Sequence, residues 1–99
     1  MKDYVYYAAL YDCYKGLLTD TEKECFDAYY CEDYSMQEIA DIKNVSRSAI
    51  HKNLKKVLEK LNYYESILHI NEKNDMIKNV IQESSNEKLI SKLNEILEK

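Results

Sequence analysis

The sequence contains no proline, no tryptophan and a single glycine, Gly16. Hairpins and sandwiches take their tight turns from the backbone angles that glycine and proline supply, so this scarcity argues against strands. It predicts an all-α protein with polar links between helices. Long apolar runs are also missing: no stretch approaches the ~18 apolar residues of a membrane-spanning helix. The opening MKDYVYYAALYDCYKGLL has neither a basic leader nor an unbroken apolar run, so export is not expected. These absences point to a cytoplasmic protein without membrane insertion.

Cysteine is sparse and unsuited to bridging or zinc. Cys13, Cys25 and Cys31 are odd in number and lack the close pairs of a metal site, so they are expected to act as small, mostly buried hydrophobic groups. His69 has no neighbouring ligand type, and no metal or other cofactor is expected. A glycine-rich phosphate loop is absent, and no Ser or Cys lies beside a plausible base. The acidic pairs Glu22/Glu24 and Glu32/Asp33 sit where helix caps and solvated links account for them. An enzyme is therefore not expected.

What remains is a chain of 99 residues, 45% hydrophobic and 32% charged, enough for one core. Its net charge of −4 averages three unlike segments. Residues 1–42 carry 3 basic and 10 acidic groups, residues 43–62 carry 6 and 1, and residues 63–99 carry 5 and 7. A cationic block in an acidic chain sets up a local field for an anion.

Periodicity places the helices. Tyr4, Tyr7, Leu10, Tyr11, Tyr14 and Leu18 recur at spacings of three and four and form one apolar face, which Gly16 then weakens or ends. Thr19 with Glu22, or Thr21 with Glu24, offers a capping box for a second helix whose apolar side is Cys25, Phe26, Tyr29 and Tyr30. After the link Glu32-Asp33-Tyr34, Ser35 and Glu38 open a third helix that runs to about Ile42. Ser46 is a strong N-cap for a long helix bearing Ile50, Leu54, Val57, Leu58 and Leu61, continued by Tyr64, Ile67 and Leu68 to about Ile70. Two further amphipathic segments follow, carrying Met76, Ile77, Val80 and Ile81, then Leu89, Ile90, Leu93, Ile96 and Leu97. A capping box at Ser84-Ser85-Asn86-Glu87 is expected between them. Residues 1–70 read as a helical head and residues 71–99 as a C-terminal dimerisation segment, since the surplus apolar faces exceed what one small core covers.

The stretch SMQEIADIKNVSRSAIHKNL, Ser35–Leu54, carries the functional signal. Ile39 packs, Ala40 is the small residue that lets a following helix cross closely, Val45 is placed to plug the turn, and Ile50 with Leu54 faces inward. At 100° per residue, Leu54, Val57 and Leu61 lie within about 40° of Ile50, while Ser48, Lys52 and Lys55 lie about 140–160° away. Arg47 and His51 flank that outward face. Ser46 sets a hydroxyl at the helix N-terminus, where free amides favour phosphate. Arg47 and Lys52 suit a guanine edge or a phosphate, Lys55 and Lys56 a phosphate. Duplex DNA is the expected partner of Ser46, Arg47, Ser48, His51, Lys52, Lys55 and Lys56, with structured RNA as the other nucleic acid the pattern admits. The N-terminal tyrosines, spaced helically amid acidic groups, are read as core or subunit packing rather than base-stacking platforms.

The run LLTDTEKECFDAYYCEDYSMQEIADIKNVSRSAIHKNLKKVLEKL resembles the small bacterial YlxM-like family. The most specific pieces are LLTDTE, Tyr29-Tyr30, Asp33-Tyr34-Ser35, and EIA followed by NVSRSAI. The resemblance implies a helix-turn-helix similar to sigma factor region 4, within the winged-helix-like superfamily, and a gene context beside the signal recognition particle. It further implies a regulator or accessory of that targeting pathway; together with the basic face and the surplus C-terminal apolar faces, the expectation is a homodimeric DNA-binding regulator linked to it. The alternative is a protein or ribonucleoprotein adaptor whose partner is a signal recognition particle component. Lys43 stands where such motifs usually carry a bulky apolar residue, which predicts a shifted helix crossing.

Overall fold

The computed structural model describes residues 3–99, and among them every regular element is helical. The elements are α1 (Tyr4–Tyr14), a 3-10 turn (Lys15–Leu17), α2 (Asp20–Phe26) running on through a π-helical turn (Asp27–Cys31), α3 (Met36–Lys43), α4 (Arg47–Leu68), α5 (Ile70–Glu83) and α6 (Glu87–Leu97). The chain divides into two compact units between Ile67 and Leu68.

In the first unit the later part of the tyrosine-rich face of α1 buries itself, while Tyr7 is half-buried and Tyr4 exposed. Leu10, Tyr11, Tyr14 and Leu18 join Phe26 of α2 and Val57, Leu58 and Leu61 of α4 in one cluster. Phe26 is stacked between two rings, Tyr11 at 4.1 Å and Tyr30 at 4.6 Å between centroids. Such stacking of flat rings joins α1 to α2 and its π-helical turn. A second cluster joins Cys25 and Tyr29 to Ile39 and Ala40 of α3 and Ile50 and Leu54 of α4. Helix α4 therefore serves both clusters: its first half closes the α3 side, its second half the α1 side.

The caps explain where the helices start. Of the two candidate boxes before α2, Thr19 with Glu22 is the one formed, and Ser35 with Glu38 forms the same reciprocal pair at α3. The box expected at Ser84 does not form. The Ser84 amide already donates to the Ile81 carbonyl as α5 ends, so α6 starts from Asn86, whose Oδ1 accepts from the Leu89 amide at 3.1 Å. Helix α4 also stops short of the expected Ile70, because His69 adopts a left-handed backbone (φ 55°) and α5 begins directly after it. Of the cysteines only Cys25 is buried, while Cys13 is half-buried and Cys31 exposed.

The second unit is the hairpin of α5 and α6, in which no residue is fully buried. Ile77, Ile81, Ile90, Leu93 and Leu97 are half-buried, and Met76, Val80, Leu89 and Ile96 are exposed. Two amphipathic helices leave one another's apolar faces only partly covered.

Candidate nucleic-acid interface

The connection between α3 and α4 is only Asn44-Val45-Ser46. Asn44 takes the left-handed conformation (φ 57°, ψ 47°), which lets its amide bond the Asp41 carbonyl and the Val45 amide bond the Ala40 carbonyl at 3.0 Å. This pairing closes the end of α3. Asn is among the few side chains that tolerate that backbone region. Ala40, fully buried, leaves room for the approach of α4. Val45 does not plug the turn as expected: it is 47% exposed, and Ile39, Ala40, Ile50 and Leu54 close the core without it.

Ser46 begins α4. Its Oγ accepts from the Ala49 amide at 3.1 Å and lies 3.1 Å from the Ser48 hydroxyl. The hydroxyl is thus already engaged as a cap. Beyond it Arg47, Ser48, His51, Lys52, Lys55 and Lys56 are all exposed, and Ile50, Leu54, Val57, Leu58 and Leu61 are all buried. From Arg47 to Lys56 the helix advances about 14 Å. Glu59 follows on the same outward side, one turn on from Lys55 and Lys56, and closes the cationic stretch.

The six basic groups of residues 43–62 are not equivalent. Lys43 Nζ lies 2.6 Å from Glu24 Oε2, tying α3 to α2. That bond holds the Lys43 ammonium above the ordinary lysine value, against a smaller opposing effect of burial. An ion pair thus occupies the position where an apolar residue was expected, and Ile42 beside it is 69% exposed. Lys60 Nζ lies 2.9 Å from Glu22 Oε1 and 2.8 Å from Oε2. The second contact is ionic without hydrogen-bond alignment. Glu22 is only 3% exposed. Burial alone would raise its pKa, but Lys60 and the Thr19 amide and hydroxyl outweigh that, leaving it below the usual carboxylate value. Arg47, Lys52, Lys55 and Lys56 have no carboxylate partner among the described residues.

Sequence reading took Glu22 and Glu24 as cap and surface groups and missed their ties to Lys60 and Lys43. A signal existed for Lys60, which lies at the rim of the apolar stripe, 60° from Val57 on a helical projection of about 100° per residue. Tyr14 donating to Glu65, and Asn62 donating to the Tyr7 hydroxyl at 3.0 Å, are further links between α1 and α4 that spacing did not disclose. No group of three or more potential metal ligands occurs among the described residues, and no helix among them is long and apolar enough to cross a membrane.

Comparison with known proteins places this architecture. The whole chain, residues 1–99, matches the model of the UPF0122 family, described as "Putative helix-turn-helix protein, YlxM / p13 like". A UPF0122 protein of Ureaplasma urealyticum serovar 10 is 43% identical over 91 residues, 92% of each chain. One from Lactococcus lactis subsp. cremoris is 39% identical over 93 residues, covering 88% of this chain and 83% of its own. Another, from Caldanaerobacter subterraneus subsp. tengcongensis, is 38% identical over 79 residues, 79% of this chain and 68% of its own. The chain belongs to that family: the protein is a member of UPF0122, the YlxM / p13-like family.

Proposed function

We propose that the protein is a DNA-binding regulator in which α3, the Asn44-Val45-Ser46 turn and α4 act as a helix-turn-helix similar to sigma factor region 4. The observation that carries this reading is the division of charge on α4. Lys52, Lys55 and Lys56 are exposed, opposite the buried stripe and without a carboxylate partner among the described residues, whereas Lys43 and Lys60 are consumed by carboxylates of α2. Such a row of exposed cations on a stiff helix suits the phosphates along a groove, and Arg47 and Ser48 at its start suit base edges. The α5/α6 hairpin would pair two copies, setting two such helices about 34 Å apart, one turn of DNA. The YlxM-like resemblance links the regulation to the signal recognition particle pathway.

Titration of a labelled random-sequence duplex across a salt series tests the reading. Binding is expected at low salt, with log affinity falling linearly with log salt. Replacing Lys52 and Lys55 together by Ala should make the slope shallower by about 1.8, from roughly 0.9 per phosphate. Equal affinity and slope for the two proteins would overturn it.

One observation favours a second reading, an adaptor that docks a component of the targeting pathway. Residues 1–42 carry 10 acidic groups against 3 basic ones, which repels phosphate over much of the first unit. Co-purification with and without nuclease separates the two readings: a nuclease-resistant protein partner supports the adaptor.

A further inference from the structure

A cavity of about 260 Å³ opens between the start of α1, the end of the π-helical turn and the start of α3. It is lined by Tyr4, Tyr29, Asp33, Tyr34, Ser35 and Glu38. We propose that this cavity binds a guanidinium or ammonium head group presented by a basic protein segment.

The size selects the ligand first. Clefts that hold drug-sized molecules start at about 300 Å³, so this smaller, partly open one suits a side-chain head group. Its walls select the sign. Three tyrosines line it, and the exposed Tyr34 offers a cation its π-face or hydroxyl lone pairs. Asp33 has no ion-pair or hydrogen-bond partner among the described residues and brings an uncompensated carboxylate to the rim. The opposing attraction is the N-terminus of α3, which by itself favours anions. That attraction is already spent internally. Glu38 Oε1 accepts from the Ser35 amide at 3.0 Å, and the Ser35 hydroxyl accepts from the Glu38 amide at 3.1 Å. An incoming anion would meet Asp33 and Glu38, whereas a cation meets both favourably. The surroundings agree, because residues 1–42 have net charge −7, from 3 basic and 10 acidic groups. The cationic face of α4 is made of other residues, so this site stands or falls apart from DNA binding.

Isothermal titration of the full chain with a penta-arginine peptide tests the assignment, with penta-citrulline as the isosteric neutral control. The peptide is expected to bind and the citrulline form not to. Asp33→Asn suits the left-handed backbone there (φ 61°), so it removes charge without adding strain. It should weaken binding roughly fivefold, and Tyr34→Ala roughly threefold. Asp12→Asn makes the same change in net charge outside the cavity and should leave affinity within a factor of about 1.5, in line with the small worth of a screened, distant surface charge. Equal losses for Asp33→Asn and Asp12→Asn would mean attraction to bulk negative charge and would overturn the site, as would binding of the citrulline peptide at similar strength.

Discussion

Lys60 on α4 and Glu22 on α2 form an ion pair across the helical head, with the ammonium 2.8 and 2.9 Å from the two carboxylate oxygens and the carboxylate almost wholly buried. The same carboxylate accepts from the Thr19 amide at 2.8 Å, so a single side chain starts α2 and anchors it to α4. Removing the cation strands a buried charge. Lys60→Met is expected to cost about 3 kcal/mol in urea unfolding followed by circular dichroism. Adding Glu22→Gln, which retains an acceptor for the cap, should recover a substantial part of the loss.

Acid unfolding follows from the same pair. The carboxyl of Glu22 has its pKa lowered by folding, so its stabilising contribution is present above the unfolded value of about 4.5 and is lost as pH falls through the folded value. Lys60→Met should flatten the acid limb of a stability–pH curve between about pH 5.5 and 3.5, on the order of a unit either side of the unfolded pKa. An unchanged acid limb would mean that the pair does not couple to folding.

At the alkaline end the phenols raised by burial, Tyr30 among them, are expected to set a separate transition. Burial first, then the neighbouring tyrosines Tyr29, Tyr7 and Tyr4, push its phenol from 10.0 up to about 12. Burial likewise raises Tyr11. A raised phenol pKa means that the stabilisation is complete below the unfolded value and disappears as pH climbs through the folded one. Tyr30→Phe, which keeps the ring stack on Phe26, is expected to move the alkaline unfolding midpoint upward, read by tyrosinate absorbance together with circular dichroism.

The division of lysines on and beside α4 yields a sharper nucleic-acid test than alanine changes at the proposed face alone. Lys43 is held by Glu24, so Lys43→Ala should alter the salt slope of duplex binding by less than about 0.3. Lys56→Ala should reduce it by about 0.9. Equal effects at the two positions would contradict the assignment of the face.

The turn gives a stability prediction that does not depend on any ligand. Asn44→Gly should be neutral or mildly stabilising, because glycine takes the left-handed backbone without strain. Asn44→Ala should cost about 1 kcal/mol, and Ser46→Ala about another 1 kcal/mol through the lost cap on Ala49. Thermal unfolding of the three variants checks the order.

Pairing through the C-terminal hairpin is tested separately. Leu93→Asp with Leu97→Asp puts two charges on the half-buried face of α6. Sedimentation should show a shift to monomer with the α1–α4 head still folded, whereas an unchanged mass would rule out pairing by this hairpin.

Helix positions, the box at Ser35, a box at either Thr19 or Thr21, and the inward face of α4 were all readable from the chain, because they depend on spacings of three and four residues and on local side-chain to backbone bonds. The choice of Thr19 over Thr21 was not, since both satisfy the local rule. Val45 was misplaced because whether a turn residue is covered depends on how closely the flanking helices meet. The break at His69 carried no local marker, lying at a position that neither glycine nor proline announces.

The order of residues by itself determined that the chain is helical, where its charge is concentrated and which side of α4 is apolar, since these follow from periodicity and composition. Tertiary structure alone decided which lysines stay available. Glu22 and Glu24 meet Lys60 and Lys43 across 38 and 19 residues of chain, and only the packing of α2 against α3 and α4 brings opposite charges so distant in sequence within bonding reach.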